Sequence, residues 1–159
     1  IYKNKSCIPR AFFVRDFKAI REKKDILSYL GSVEFEPGET IVLEEEPKGI
    51  IADDASVFQP ADINISDYGA NSVVIDAHAP ADGFLVLADS FYPGWEVFVD
   101  GKQDKIYRAD YILRAVYLNK GRHRVEFSYE PLSFKLGLGI AALTLLGTLS
   151  AIAIIRLLQ

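Results

Sequence analysis

Apolar and polar residues alternate along most of this chain with the two-residue period of a strand, and the exceptions stand near its ends. The stretch that sets the register for the rest is 91–102. Pro93-Gly94 fits the central positions of a type II turn, because proline presets φ and glycine accepts the positive φ that follows. Trp95, Val97 and Val99 then alternate with Glu96, Phe98 and Asp100, a strand with one buried face. Asp100-Gly101 suits a type I′ hairpin, whose twist matches its flanking strands. Strands are also predicted at 11–14, 40–44, 62–66, 72–77, 105–108 and 111–117, and in the alternation of Val125, Phe127 and Tyr129. Turn signals at 36–39, 68–71, 80–83 and 119–121 separate them. Residues 84–88 are apolar on both faces, which marks a central strand covered on each side. Many short strands with turns between them predict a mainly β fold, an antiparallel β-sandwich of jelly-roll-like form.

Two segments break that period. Near the start, Phe17, Ile20, Leu27 and Leu30 recur at three- and four-residue steps opposite a lysine-rich face. This predicts one amphipathic helix over 17–30, capped by Asp16 and stopped by Gly31. At the C-terminus, residues 136–155 form a run of twenty without a charge, about the ~20 needed to cross a bilayer core. Lys135 and Arg156 bracket the run, placed to snorkel to lipid headgroups. Gly147 and Ala151 make a small-xxx-small pair that could face another helix. The expected organisation is a sandwich domain over 1–132 and a transmembrane helix over 133–159. The short connection at 130–134 would hold the sandwich close to the membrane surface. Between residues 48 and 61 the pattern lapses, and a long loop is predicted.

Composition narrows the picture. The chain has 159 residues and opens on Ile1, so it reads as a piece of a longer protein; no signal-peptide pattern is visible at its start. Cys7 is the only cysteine, which excludes an internal disulfide and any cysteine-based zinc site. The net charge of −4 hides an asymmetry: residues 26–100 carry fifteen acids against Lys48 alone. So acidic a middle repels a phosphate backbone, and nucleic acid is discounted as a partner.

Candidate chemistry is sparse. No phosphate-binding glycine loop, zincin pair, nucleophile elbow or dinucleotide fingerprint is present, so no catalytic residue, metal ligand or cofactor is assigned. His78, on a strand face with Asp76, and His123, beside a turn, read as structural or solvent-exposed. Asp53-Asp54 reads as a solvated pair rather than a metal site. The aromatic cluster around the Pro-Gly turn is the best candidate. Tyr92 and Trp95, with Tyr107, Arg108 and Asp110 expected nearby, combine aromatic faces and polar groups in the way a sugar requires. The alternative is that these aromatics pack the end of the sandwich and fix the turn.

These residues also carry a resemblance. The segments 87–95 (LADSFYPGW), 99–102 (VDGK), 107–111 (YRADY), 121–131 (GRHRVEFSYEP) and 133–137 (SFKLG) resemble, in order, the C-terminal region of YfhO-like bacterial membrane proteins, and 9–12 and 42–45 fit as well. The likeness is weakest across 48–62. That family is similar to multi-pass glycosyltransferases that take sugars from polyprenyl-phosphate carriers and act outside the membrane, for example on teichoic-acid polymers. The resemblance implies an extracytoplasmic, non-catalytic domain followed by a closing helix, with membrane lipid, envelope glycan or polyprenyl-linked sugar, and upstream helices of the same protein as partners. The catalytic carboxylate would lie in an early outer loop outside this stretch, so no residue here inherits that role. The rival expectations are a membrane-anchored carbohydrate-binding module and a purely structural or assembly domain.

Overall fold

In the computed structural model, residues 7–47 and 60–157 are described; Asp53-Asp54 and nearly all of the loop expected at 48–61 lie outside them. The elements in chain order are β1 (Ala11–Val14), β2 (Asp16–Ala19), α1 (Lys23–Leu30), β3 (Thr40–Leu43), β4 (Asp62–Tyr68), β5 (Ser72–Ala79) and β6 (Gly83–Ser90). They continue as β7 (Trp95–Val99), β8 (Lys102–Asp104), β9 (Tyr107–Ala109), β10 (Leu113–Leu118), β11 (Gly121–Tyr129) and α2 (Leu132–Leu157). The strands form two sheets, one in the order β1-β6-β10-β9-β3-β2 and the other in the order β4-β5-β11-β7-β8. The fold is mainly β. Among the described strands the pairings are antiparallel except β2 with β3.

Alternation decides which side chains meet between the sheets. Leu85, Leu87, Val116 and Leu118 from the first sheet pack with Val73, Ile75, Val97, Val125 and Phe127 from the second. Each such large side chain contributes about 1.5–3 kcal/mol by leaving water. The intervening residues of β6, Phe84 and Val86, join Val14, Ile41, Leu43, Tyr107 and Ala115 in a second cluster on the opposite face of the first sheet. The ring of Phe84 meets Phe17, Tyr107 and Tyr117 edge-on, with centroids 5.5–5.6 Å apart. Strand β6 is thus buried on both faces, as its unbroken apolar run requires.

The turns follow their residues. Gly94 has φ of 104°, and Trp95 N–H donates to the Tyr92 carbonyl at 3.4 Å, closing the turn at 92–95. Asp100 and Gly101 both take positive φ, 53° and 78°, as a type I′ hairpin demands.

The helix near the start is shorter than its periodicity predicts. Residues 16–19, expected as the cap and first turn, are strand β2, which pairs in parallel with β3. The helix begins at Lys23 with Glu22 as N-cap, in place of Asp16. Ile26 is its buried residue, whereas Leu27 is 53% exposed. The reason is tertiary: Phe17 satisfies a helical spacing equally well as a strand residue packed on Phe84, and a backbone partner in β3 outweighs propensity. Gly31 does stop the helix, its N–H donating to the Leu27 carbonyl at 3.1 Å. A second difference lies at 105–111, where the expected strands shift. Asp110 and Tyr111 adopt positive φ, 46° and 71°, forming a tight turn between β9 and β10.

The chain divides into two compact units, Ile1–Tyr129 and Glu130–Gln159. In the second, α2 has 26 residues, a mean hydropathy of 2.3 and no buried side chain, so it is long and apolar enough to cross a membrane. Its length of about 39 Å exceeds the ~30 Å hydrocarbon core. Thr144 and Thr148 donate their hydroxyls to carbonyls of the helix itself, at 2.9 and 2.8 Å, which suits apolar surroundings.

Candidate functional site

Two of the candidate residues, Tyr92 and Trp95, meet at the end of the sandwich where β7 begins and β11 ends. Tyr129, the last residue of β11, pairs with Trp95, the first of β7. Their rings lie 5.3 Å apart, and Tyr92 adds a third ring 6.4 Å from Tyr129. Trp95 is half-buried and joins the inter-sheet core, whereas Tyr92 is 63% exposed and has the freest ring of the three.

Behind Trp95 stands a residue that the sequence reading missed. Arg114 occupies an inward position of β10, in phase with Val116 and Leu118, and is 2% exposed. Its guanidinium lies 3.9 Å from the centre of the Trp95 ring and 5.4 Å from that of Phe127. One nitrogen, Nη2, donates to Asp89 Oδ2 at 3.1 Å; Nε and Nη1 have no hydrogen-bond partner among the described residues. Burial pulls this guanidinium below its ordinary pKa, and the Asp89 charge works against that shift. A charge so deep is tolerable only with such a partner.

Asp89 is the hub of the polar groups. Besides Arg114 it accepts the Tyr68 hydroxyl at 3.2 and 3.3 Å, and Arg10 approaches to 3.9 Å. The Arg10 guanidinium also covers the Tyr68 ring at 4.7 Å. A signal for Arg114 did exist: a lone arginine at the core-facing phase of an apolar strand calls for a buried acid. Sequence alone could not say which of the many acids answers it.

Tyr107, Arg108 and Asp110 fall elsewhere. Tyr107 is buried in the second cluster, where burial raises its pKa. Arg108 pairs with Glu44 at 3.1 Å and lies 4.7 Å over the Phe91 ring. It sits directly opposite Arg114 in the sheet, so each arginine needs its own acid. Asp110 accepts the Val42 N–H at 2.8 Å through Oδ1, while its own N–H donates to the Val42 carbonyl at 2.8 Å. Burial raises the Asp110 pKa and the Val42 bond opposes this. The structure therefore links Tyr92 to Trp95 through Tyr129, places Arg108 over the Phe91 ring, buries Tyr107 and bonds Asp110 to the Val42 backbone.

The two histidines stand on neighbouring strands and both border one groove. His123 faces Asp100 Oδ2 at 2.8 Å and the Asn119 carbonyl at 2.9 Å. His78 lines an open groove of about 510 Å³ on the outer face of the second sheet, with Asp62, Asn64, Asp76, Arg122 and Arg124. No group of three His, Cys, Asp or Glu side chains among the described residues is placed to hold a metal ion.

Comparison with known proteins places this architecture. No solved structure matches the chain. The YfhO protein of Bacillus subtilis (strain 168), described as uncharacterized, is 30% identical over 80 residues, which is 50% of this chain and 9% of that relative. The chain thus corresponds to a small part of the relative's length. A family model described as bacterial membrane protein YfhO matches residues 46–141, from before β4 into α2, and includes Tyr68, Asp89, Tyr92, Trp95, Arg114 and Tyr129. With that match over more than half its length, the chain belongs to the YfhO family of bacterial membrane proteins.

Proposed function

We propose that this chain is the non-catalytic, extracytoplasmic sandwich domain, with its membrane-crossing helix, of a polytopic glycosyltransferase that uses lipid-linked sugar to modify envelope glycan or teichoic acid. Its role is to hold the acceptor glycan. The family membership and the apolar α2 support the membrane setting. The observation that carries the binding role is the exposed Tyr92 ring, set on a preformed turn and backed by Tyr129, which in turn meets Trp95. An aromatic face held rigid in this way suits the apolar face of a sugar ring at small entropic cost.

The test is a titration of the full chain in lipid nanodiscs with cellotriose and maltotriose, read by fluorescence of Trp95, the single tryptophan. Saturable binding that Tyr92→Ala abolishes is expected. If neither saccharide binds, the acceptor-holding role is wrong. A purely structural domain then becomes the better reading, favoured by the buried Tyr107 and by the backbone bonds of Asp110.

A further inference from the structure

We propose that Asp89, Tyr68 and Arg10 are the hydrogen-bonding half of the saccharide site whose stacking half is Tyr92, and that its ligand is a ring sugar with neighbouring free hydroxyls. This rests on the glycan-holding role above and adds to it the residues that read the hydroxyls. The argument begins with what a sugar hydroxyl offers, a donor and an acceptor on one atom. Asp89 is an acceptor and Arg10 a donor, and their 3.9 Å separation is longer than a hydrogen bond. A hydroxyl entering there accepts from Arg10 and donates to Asp89, replacing a weak exposed ion pair by two charge-assisted bonds. Arg10 and Tyr68 are both at the surface, 53% and 50% exposed, so a ligand can reach their polar atoms. The Asp89 side chain is 16% exposed and is held from below by the buried Arg114, so its free lone pairs keep a fixed direction.

The two halves are linked through packed side chains. Tyr92 touches Tyr129, Tyr129 touches Trp95, Trp95 carries the Arg114 guanidinium, and Arg114 bonds Asp89. Only Ser90 and Phe91 separate Asp89 from Tyr92, so their Cα atoms lie within about 11 Å of each other, whatever the backbone path. An oligosaccharide can stack one ring on Tyr92 while a neighbouring ring presents its hydroxyls to Asp89. Arg114 serves as a positioning residue in this arrangement.

The test uses the full chain in nanodiscs with cellotriose and maltotriose, comparing wild type with Tyr68→Phe, Arg10→Gln and Tyr92→Ala. Asp89 itself is left intact, because its loss strands the buried Arg114. Arg10→Gln and Tyr68→Phe are each expected to weaken binding about three- to tenfold with an unchanged melting temperature. Wild-type affinity in both variants, with binding lost in Tyr92→Ala, overturns the polar half and leaves the stacking platform standing. No binding by the wild type overturns the platform and this inference together.

Discussion

At the end of the sandwich where β7 turns into β8, polar side chains bond mainly to backbone. Asp100 accepts the Arg124 N–H at 2.9 Å and faces His123, which in turn reaches the Asn119 carbonyl. Asp82 accepts the Lys120 N–H at 2.7 Å as well as the Tyr117 hydroxyl. At the opposite end, side chains bond to side chains: Arg114, Tyr68 and Arg10 all converge on Asp89, and aromatic rings fill the space around them. The first arrangement braces turns whose amides would otherwise lack partners. The second leaves exposed donors, an exposed ring and a buried cation with two nitrogens lacking hydrogen-bond partners among the described residues. Similar residues thus brace turns at one end and form a side-chain cluster at the other, the cluster on which the proposed saccharide role rests.

The largest effect that would sharpen this contrast comes from Arg114. Removing one member of a buried pair leaves the other without compensation, so Arg114→Met is expected to destabilise the chain by about 3 kcal/mol. A urea melt in micelles would measure this, and Trp95 emission should move with it because the guanidinium no longer covers the ring. A loss no greater than that of an ordinary surface substitution would show that the buried charge does not organise this end.

Next in size is Tyr92→Ala, expected to abolish saccharide binding while the melting temperature holds, since the ring is exposed. Asp100→Ala should do the reverse: about 1 kcal/mol of stability lost with the hairpin bonds, and affinity unchanged. If Asp100→Ala weakens binding as much as Tyr92→Ala does, the division of labour between the ends is wrong. The smallest expected effect is a pH dependence. The Arg124 N–H, followed by His123, holds the Asp100 carboxyl below its ordinary pKa. Its stabilising contribution is therefore present above the ordinary aspartate pKa of about 3.9 and lost as pH falls through the folded value. Thermal melts between pH 5 and 3 should show the wild type losing this part of its stability and Asp100→Asn lacking it.

Much of this protein is local and can be read residue by residue. Pro93-Gly94 and Asp100-Gly101 specify their turns because few other residues tolerate those φ values. The apolar run of β6 demands cover on both faces, and α2 declares its solvent by composition. Tyr92 was legible as an aromatic beside a tight turn, but its exposure was not. What the chain could not reveal alone was decided by partners distant in sequence. Asp16–Ala19 became a strand because β3 lies alongside it, although its spacing suits a helix equally well. Asp110 took a backbone role because Val42 stands opposite. Arg114 chose Asp89 across 25 residues, from among many acids, because adjacent strands bring those two side chains together. Turn geometry and solvent preference are properties of a few consecutive residues, whereas pairing of strands and of buried charges exists only once the sheets have closed on each other.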